Sequence, residues 1–317
     1  MISLRQHIFS LVAVFVALAV GIAAGSTVVR GPLLDSTRAR LESAEQIIEV
    51  ERAENDVLAA ELAQLNGWAV DGPPQLVGGR LAGKAVVLVV AGAVDRDARD
   101  GVMRSLRAAA ATVVGEVRID PAVFDPNAAP RVAEALGSGA VTDPPAAVLF
   151  GTHVGELLAS VATELSATGQ VVPAKVLSTA FGDLEDSGLV DLVEVSTAAI
   201  APVDLDIVVL TDRNLPVDPA PVLSGVVAVS DPAGAALTVM VAEVGRIAQG
   251  NETPTPSFVG AIRDNGRLRD EVTTVDNAET ILGWTAMILG LDAAEAGIVQ
   301  HYGFHDGADR AIPARPT

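Results

Sequence analysis

The chain has no cysteine. Disulfides, thiolate metal sites and cysteine nucleophiles are therefore all excluded. Aromatic residues make up only 3% of its 317 residues, against 50% hydrophobic overall. A core built from this composition is packed with Ala, Val and Leu, and there is ample apolar material to form one. Basic residues are scarce. With 21 Lys and Arg against 40 Asp and Glu the net charge is −19, which lacks the basic footprint that nucleic-acid phosphates require. Catalytic signatures are missing too. No Gly-x-Gly-x-x-Gly follows the first strand, and there is no Walker A loop and no Gly-x-Ser-x-Gly elbow; each of these would place a phosphate cradle or an activated serine. With only four histidines, acid–base options are few. The chain is expected not to be an enzyme and to carry no resident cofactor.

The strongest positive signal lies in the first 66 residues. Ile8 to Ala24 reads IFSLVAVFVALAVGIAA, and the uncharged stretch extends to Val29. A spanning helix needs about 20 apolar residues, so the segment fits a membrane anchor. Arg5, the short apolar core and Ala23-Ala24-Gly25-Ser26 also fit a cleaved signal peptide. A retained anchor is favoured because a heptad series follows at once. Arg5 and the amino terminus lie on one side and Arg30, Arg38 and Arg40 on the other, so charge gives no clear orientation. The signal-like character places the soluble bulk outside the cytoplasm.

Leu34, Leu41, Ile48, Asn55 and Leu62 fall on successive a positions. The d positions are then Thr37, Ala44, Glu51, Leu58 and Leu65. Asn55 at a matches the register device of parallel dimers, in which two facing amides hydrogen-bond at some cost in stability. Arg40 at g and Glu45 at the following e would attract each other between parallel chains. A coiled-coil homodimer through Leu34, Leu41, Ile48, Asn55, Leu58, Leu62 and Leu65 is expected. The alternative is one amphipathic helix folded back on its own domain. Gly67 is expected to end the helix. Asp71-Gly72-Pro73-Pro74 and Gly78-Gly79 then mark a linker.

Beyond it the pattern is α/β. Lys84–Ala91 is a continuous apolar run, as in a strand buried on both faces. A helix over 97–111 and a strand over 112–119 complete a strand–helix–strand unit. A loop is expected over 121–130 and helices over 131–136 and 153–167. Strands are expected over 148–150, 189–195, 206–211, 226–229, 257–262 and 271–275. Further helices are expected over 233–248, begun by Ser230-Asp231-Pro232, and over 278–291. The layout is residues 1–29 anchor, 30–67 stalk, 68–82 linker and 83–317 soluble α/β domain with a mostly parallel sheet.

One pair of residues carries metal chemistry. His301 and His305 lie four apart in HYGFHD, with Asp306 and Asp309 beyond. Nitrogen and oxygen donors of this kind suit weak copper or zinc binding. Without a third ligand, a C-terminal loop with incidental histidines fits as well. His153 stands alone near a helix start and reads as a surface or capping residue.

Met1-Ile-Ser-Leu-Arg-Gln-His7, Leu18-Ala-Val-Gly21, Thr273-Thr-Val-Asp276 and Gly297-Ile-Val-Gln-His-Tyr-Gly303 together resemble the MctB family of mycobacterial and corynebacterial envelope proteins, described as copper transporters. The order of anchor, heptad helix and α/β domain fits over the whole length. The resemblance implies an actinobacterial envelope protein that limits intracellular copper. It also implies an alternative, since some relatives act with a membrane partner that controls a peptidoglycan hydrolase in cell-wall maintenance and division. The residues themselves do not read as a pore. A membrane barrel needs strands of alternating polarity and aromatic girdles, and this chain has one Tyr, two Trp and continuously apolar strands.

Overall fold

In a computed structural model of the chain, residues 4–71, 77–92, 94–125, 127, 129–137, 146–167, 169–193, 196–213, 237–245, 257–294, 296–305 and 307–312 are described. The chain divides into two compact units, residues 1–67 and 68–317.

The described part of the first unit is one helix, α1 (Leu4–Asp71), whose last four residues fall in the second unit. Its Arg5–Ala24 stretch has a mean hydropathy of 2.4 and is long and apolar enough to cross a membrane. The expected stop at Gly67 is corrected, because the helix continues to Asp71. One interior glycine costs only about 1 kcal/mol, and Trp68-Ala69-Val70 tolerate helix. The Gly72-Pro73-Pro74 breakers come next in sequence, and a residue preceding proline is turned away from helical dihedrals.

The second unit is a three-layer α/β structure. Its elements are β1 (Ala85–Ala91), α2 (Arg96–Ala108), β2 (Thr112–Ile119), a 3₁₀ turn (Pro121–Phe124), α3 (Ala129–Ala135), α4 (Ala146–Ser166), α5 (Pro173–Asp186), β3 (Val190–Val193), β4 (Leu205–Asp212), β5 (Leu237–Val244), α6 (Phe258–Asp264), α7 (Gly266–Glu271), β6 (Thr273–Val275), α8 (Ile281–Ala294) and β7 (His301–Tyr302). Among the described residues the strands form one sheet in the order β3-β2-β1-β4-β5-β6-β7. Every pairing is parallel except β2 with β3. The order reverses between β1 and β4, which makes the sheet doubly wound.

Both faces of the sheet are covered. Val87 and Val89 of β1 pack with Phe150, Leu158 and Leu165 of α4, Phe181 of α5 and Ile262 of α6. Val86, Leu88 and Val90 point into the opposite core, with Val102 and Leu106 of α2 and Trp284, Met287 and Leu291 of α8. This two-sided burial is why β1 is apolar at every position. Helices α2 and α8 meet closely at Gly101, where a Cβ would collide with the Trp284 ring. Val77 and Leu81, in the stretch expected as linker, are buried in this second core. The 72–76 part of that linker lies outside the described residues.

Three expected elements are corrected. Val148–Phe150 is the start of α4, not a strand. A short apolar triplet has no period of its own, and the buried Phe150, Val154, Leu158, Val161 and Leu165 follow the helical spacing. The helix expected over 233–248 contains strand β5 instead. Its Asp-Pro start and its alanines favour helix, but Thr238, Val239, Val241 and Val244 suit a strand, which pairs with β4 on one side and β6 on the other. The strand expected over 257–262 is helix α6, capped by Ser257 Oγ, which accepts from the Gly260 amide at 2.9 Å. Phe258, Val259 and Ile262 are buried at helical spacing. Helices α5 and α7 and strand β7 were not anticipated, and the loop expected over 121–130 contains the 3₁₀ turn and the start of α3. The strand expected over 226–229, and the Ser230-Asp231-Pro232 start, lie outside the described residues.

Candidate functional site

The heptad surface comes first. Within α1 the side chains of residues 40–62 are all exposed. Leu41 is 60% exposed, Ile48 47%, Leu58 56% and Leu62 58%, and Asn55 is exposed with them. The side chains of Leu34 and Leu65 lie outside the described residues. Leu41, Ile48, Asn55 and Leu62 share one stripe because seven residues make nearly two helical turns.

The histidine pair sits at the far edge of the sheet. His301 is in β7, paired with Thr274 of β6. It is 2% exposed, and its Nδ1 lies 2.9 Å from Thr274 Oγ1. Its main-chain amide donates to Asp309 Oδ2 at 3.0 Å. Burial, followed by the nearby Arg263 charge, pushes the His301 pKa below its ordinary value. The shift favours the neutral ring, which is hydrogen-bonded through Nδ1 to the Thr274 hydroxyl.

Around it is a closed polar lock. Arg263 of α6 donates from Nη1 to Asp276 Oδ2 at 2.7 Å, from Nε to Thr274 Oγ1 at 3.0 Å and from Nη2 to the Tyr302 carbonyl at 2.9 Å. Asp276 also accepts the amides of Phe304 at 2.9 Å and His305 at 3.1 Å. Gly303, at φ +138°, lies against the Asp276 carboxylate where any Cβ would collide. The Asp276–Arg263 pair thus holds the turn bearing His305. His305 Nδ1 is buried without a hydrogen-bond partner among the described residues. Asp309 reaches the His301 amide, while Asp306 lies outside the described residues. Among the described residues no three His, Asp or Glu side chains converge as a metal site. His153 is inside α4, part-exposed, with Nδ1 3.7 Å from Glu156 Oε2.

A second buried carboxylate marks the carboxyl edge of β5. Glu243 accepts Ser257 Oγ at 2.9 Å, the Val259 amide at 3.0 Å and Arg213 Nη1 at 3.4 Å. Burial raises its pKa, partly offset by these donors. Ser257 is thereby a helix cap tied to an acid, with no histidine base in the group.

Sequence reasoning missed a third centre. Glu116 of β2 is fully buried and holds Arg118 Nε at 2.6 Å and Arg99 Nη1 at 3.6 Å through Oε1. The available signal was a Glu-x-Arg pair inside a strand that is otherwise mostly apolar.

An α/β domain following a long helix that begins with a membrane-length apolar segment defines a membrane-associated carrier of a globular module. The chain belongs to the MctB family: the family model, described as "Copper transport outer membrane protein, MctB", matches residues 1–313. It is similar to proteins named Copper transporter MctB from Mycobacterium bovis and Mycobacterium tuberculosis. Each is 25% identical over 324 residues, covering 97% of this chain and 98% of the relative.

Proposed function

We propose that this chain serves copper homeostasis at the cell envelope as a membrane-anchored, non-catalytic scaffold that dimerises through α1. The observation that carries this reading is α1 itself. A membrane-length segment runs unbroken into an exposed apolar stripe, and exposed stripes of this kind are buried by pairing. Family membership over nearly the whole chain supplies the copper link. A single apolar helix per chain offers no lined path through a bilayer, and the described sheet is covered by helices on both faces. A role in presenting or organising other components therefore suits it better than a conduit. The soluble unit lies outside the cytoplasm in this reading. His301 and His305 are the residues through which copper or zinc would bind weakly.

The test is genetic and biochemical together. The gene is deleted, and copper sensitivity and β-lactam susceptibility are both measured. The deletion strain is then complemented with the natural chain, with Ile48→Asp and with His301→Ala/His305→Ala. Copper sensitivity restored by the natural chain but not by Ile48→Asp is the expected result. A wall defect without copper sensitivity, again dependent on Ile48, would favour the reading as coiled-coil partner of a membrane protein that controls a peptidoglycan hydrolase. The exposed stripe supports that alternative equally, since a partner's helix can bury it. Full rescue by Ile48→Asp would overturn both.

A further inference from the structure

A cleft of about 670 Å³ opens beside the carboxyl ends of β1 and β2. Open α/β sheets hold their ligands at this edge, and the size is within the usual range for small-molecule sites. Gly92 and Val94 border it after β1, and Asp120 and Pro121 after β2. Gly92, at φ +89°, makes the turn without placing a side chain over the opening.

Three guanidiniums line this cleft, those of Arg96, Arg99 and Arg118, in a chain whose net charge is −19. Two of them are built in. The wholly buried Glu116 grips Arg99 and Arg118 through Oε1, while its Oε2 has no hydrogen-bond partner among the described residues. A buried carboxylate in a strand interior is costly unless it orients something, and here it fixes two forks at the cleft wall. Arg99 is held from outside as well, donating from Nη2 to Asp100 Oδ1 at 3.0 Å, whereas the outer partner of Arg118 is weak. Arg118 Nη1 is 3.9 Å from the exposed Asp191, a separation and setting worth little in water. Arg96 is exposed and enters no hydrogen bond or ion pair among the described residues. The helix terminus is not the anion reader, because Asp95 already accepts the Asp97 amide at 3.1 Å. Asp120, Glu185 and Asp191 also line the cleft, Asp120 with its Oδ1 accepting the Ala122 amide at 2.7 Å and its Oδ2 remaining for a ligand.

We propose that this cleft binds a phosphate ester of a hydroxylated ring, either a nucleotide or a sugar phosphate. Planar guanidiniums bind phosphate through paired donors. Carboxylates accept from ring hydroxyls, as an acid after the second strand does for ribose in other doubly wound sheets. Neither group alone explains a lining that carries both guanidiniums and carboxylates. The site belongs to the soluble unit and does not depend on dimerisation.

The test is titration calorimetry on the full chain in detergent micelles with ADP, glucose 1-phosphate, inorganic phosphate and glucose. ADP or glucose 1-phosphate should bind saturably, and phosphate and glucose at least about tenfold more weakly. ADP alone identifies a nucleotide site, and glucose 1-phosphate alone a sugar-phosphate site. Arg118→Gln and Arg96→Gln should each weaken binding about tenfold, with Arg96→Gln unfolding at the natural temperature because its side chain is exposed and unpaired. The proposal is overturned if neither ester saturates below about 5 mM. It is equally overturned if Arg96→Gln and Arg118→Gln both bind as the natural chain does, or if phosphate or glucose binds as tightly as the esters.

Discussion

Leu58 in α1 and Leu88 in β1 are the same residue in opposite surroundings. The first is 56% exposed and the second wholly buried. Between Arg40 and Leu62 the helix carries its apolar residues outward, with no surface of its own unit to cover them. The sheet covers every residue of β1 by placing α4, α5 and α6 on one face and α2 and α8 on the other. The sheet unit thus buries its own apolar strands, whereas the described side chains of α1 from Arg40 to Leu62 are exposed; in the proposed function a bilayer covers the first part of α1 and a second helix the next. Apolar content alone does not distinguish these cases. The period of the pattern and the presence of covering layers do.

The largest expected effect comes from breaking the polar lock that closes the sheet unit. Asp276→Ala removes the acceptor of Arg263 and of two amides while leaving the guanidinium buried. It should cost about 3–5 kcal/mol in urea unfolding of the soluble unit. The comparison itself is sharpened by making one substitution in both regions. Leu88→Ala should cost about 2–5 kcal/mol. Leu58→Ala should leave unfolding of the soluble unit within about 0.5 kcal/mol and should instead weaken self-association, read by analytical ultracentrifugation in detergent.

A smaller effect distinguishes His301 from Glu243 by sign. Burial holds His301 below its ordinary 6.5, so the unfolded chain binds more protons as pH falls past that value. The stability this group contributes is present above 6.5 and lost as pH falls through the lower folded value. Glu243 is raised above 4.5, so the folded protein keeps the proton longer. Its contribution is present below 4.5 and lost as pH rises through the higher folded value. Chemical denaturation across pH should show His301→Gln flattening the acid-side decline, and Glu243→Gln flattening the decline above 4.5. Asn55→Leu should have the smallest effect on stability. It removes the polar register device, so the helices should associate at least as strongly but with mixed stoichiometry.

Much of the fold was legible because its signals are local. The run at Ala85–Ala91 could be little but a doubly covered strand, and Thr112–Ile119 was placed without error. The misreadings have two physical origins. At 148–150 and 257–262 a short apolar run lacks the longer helical period that decides it. At 237–244 the Asp-Pro start and the alanines upstream point to helix, while Thr238, Val239, Val241 and Val244 carry the preference of a strand. Helix α5 begins at Pro173 without a side-chain cap, so its start carried little signal. The site was less legible still. His301 and His305 stood out in sequence, but their lock depends on Arg263, Asp276 and Gly303, which only the parallel pairing of β6 and β7 brings together. Glu116, Arg118 and Arg99 meet through a strand and a helix, and spacing alone does not show such a meeting.

In the proposed function α1 is covered by a second copy of itself, in parallel and in the heptad register. The absence of cysteine makes this directly measurable, since an introduced thiol has no other thiol in the chain to react with. Ile48→Cys places one at an a position and Ala53→Cys places one at the outward f position. Facing a residues in a parallel pair come within reach of a disulfide. The chains should be oxidised mildly in native membranes and run on a non-reducing gel. Nearly complete dimer for Ile48→Cys, with little for Ala53→Cys, is the predicted result; no cross-linking at Ile48→Cys, or equal cross-linking at both positions, would contradict it.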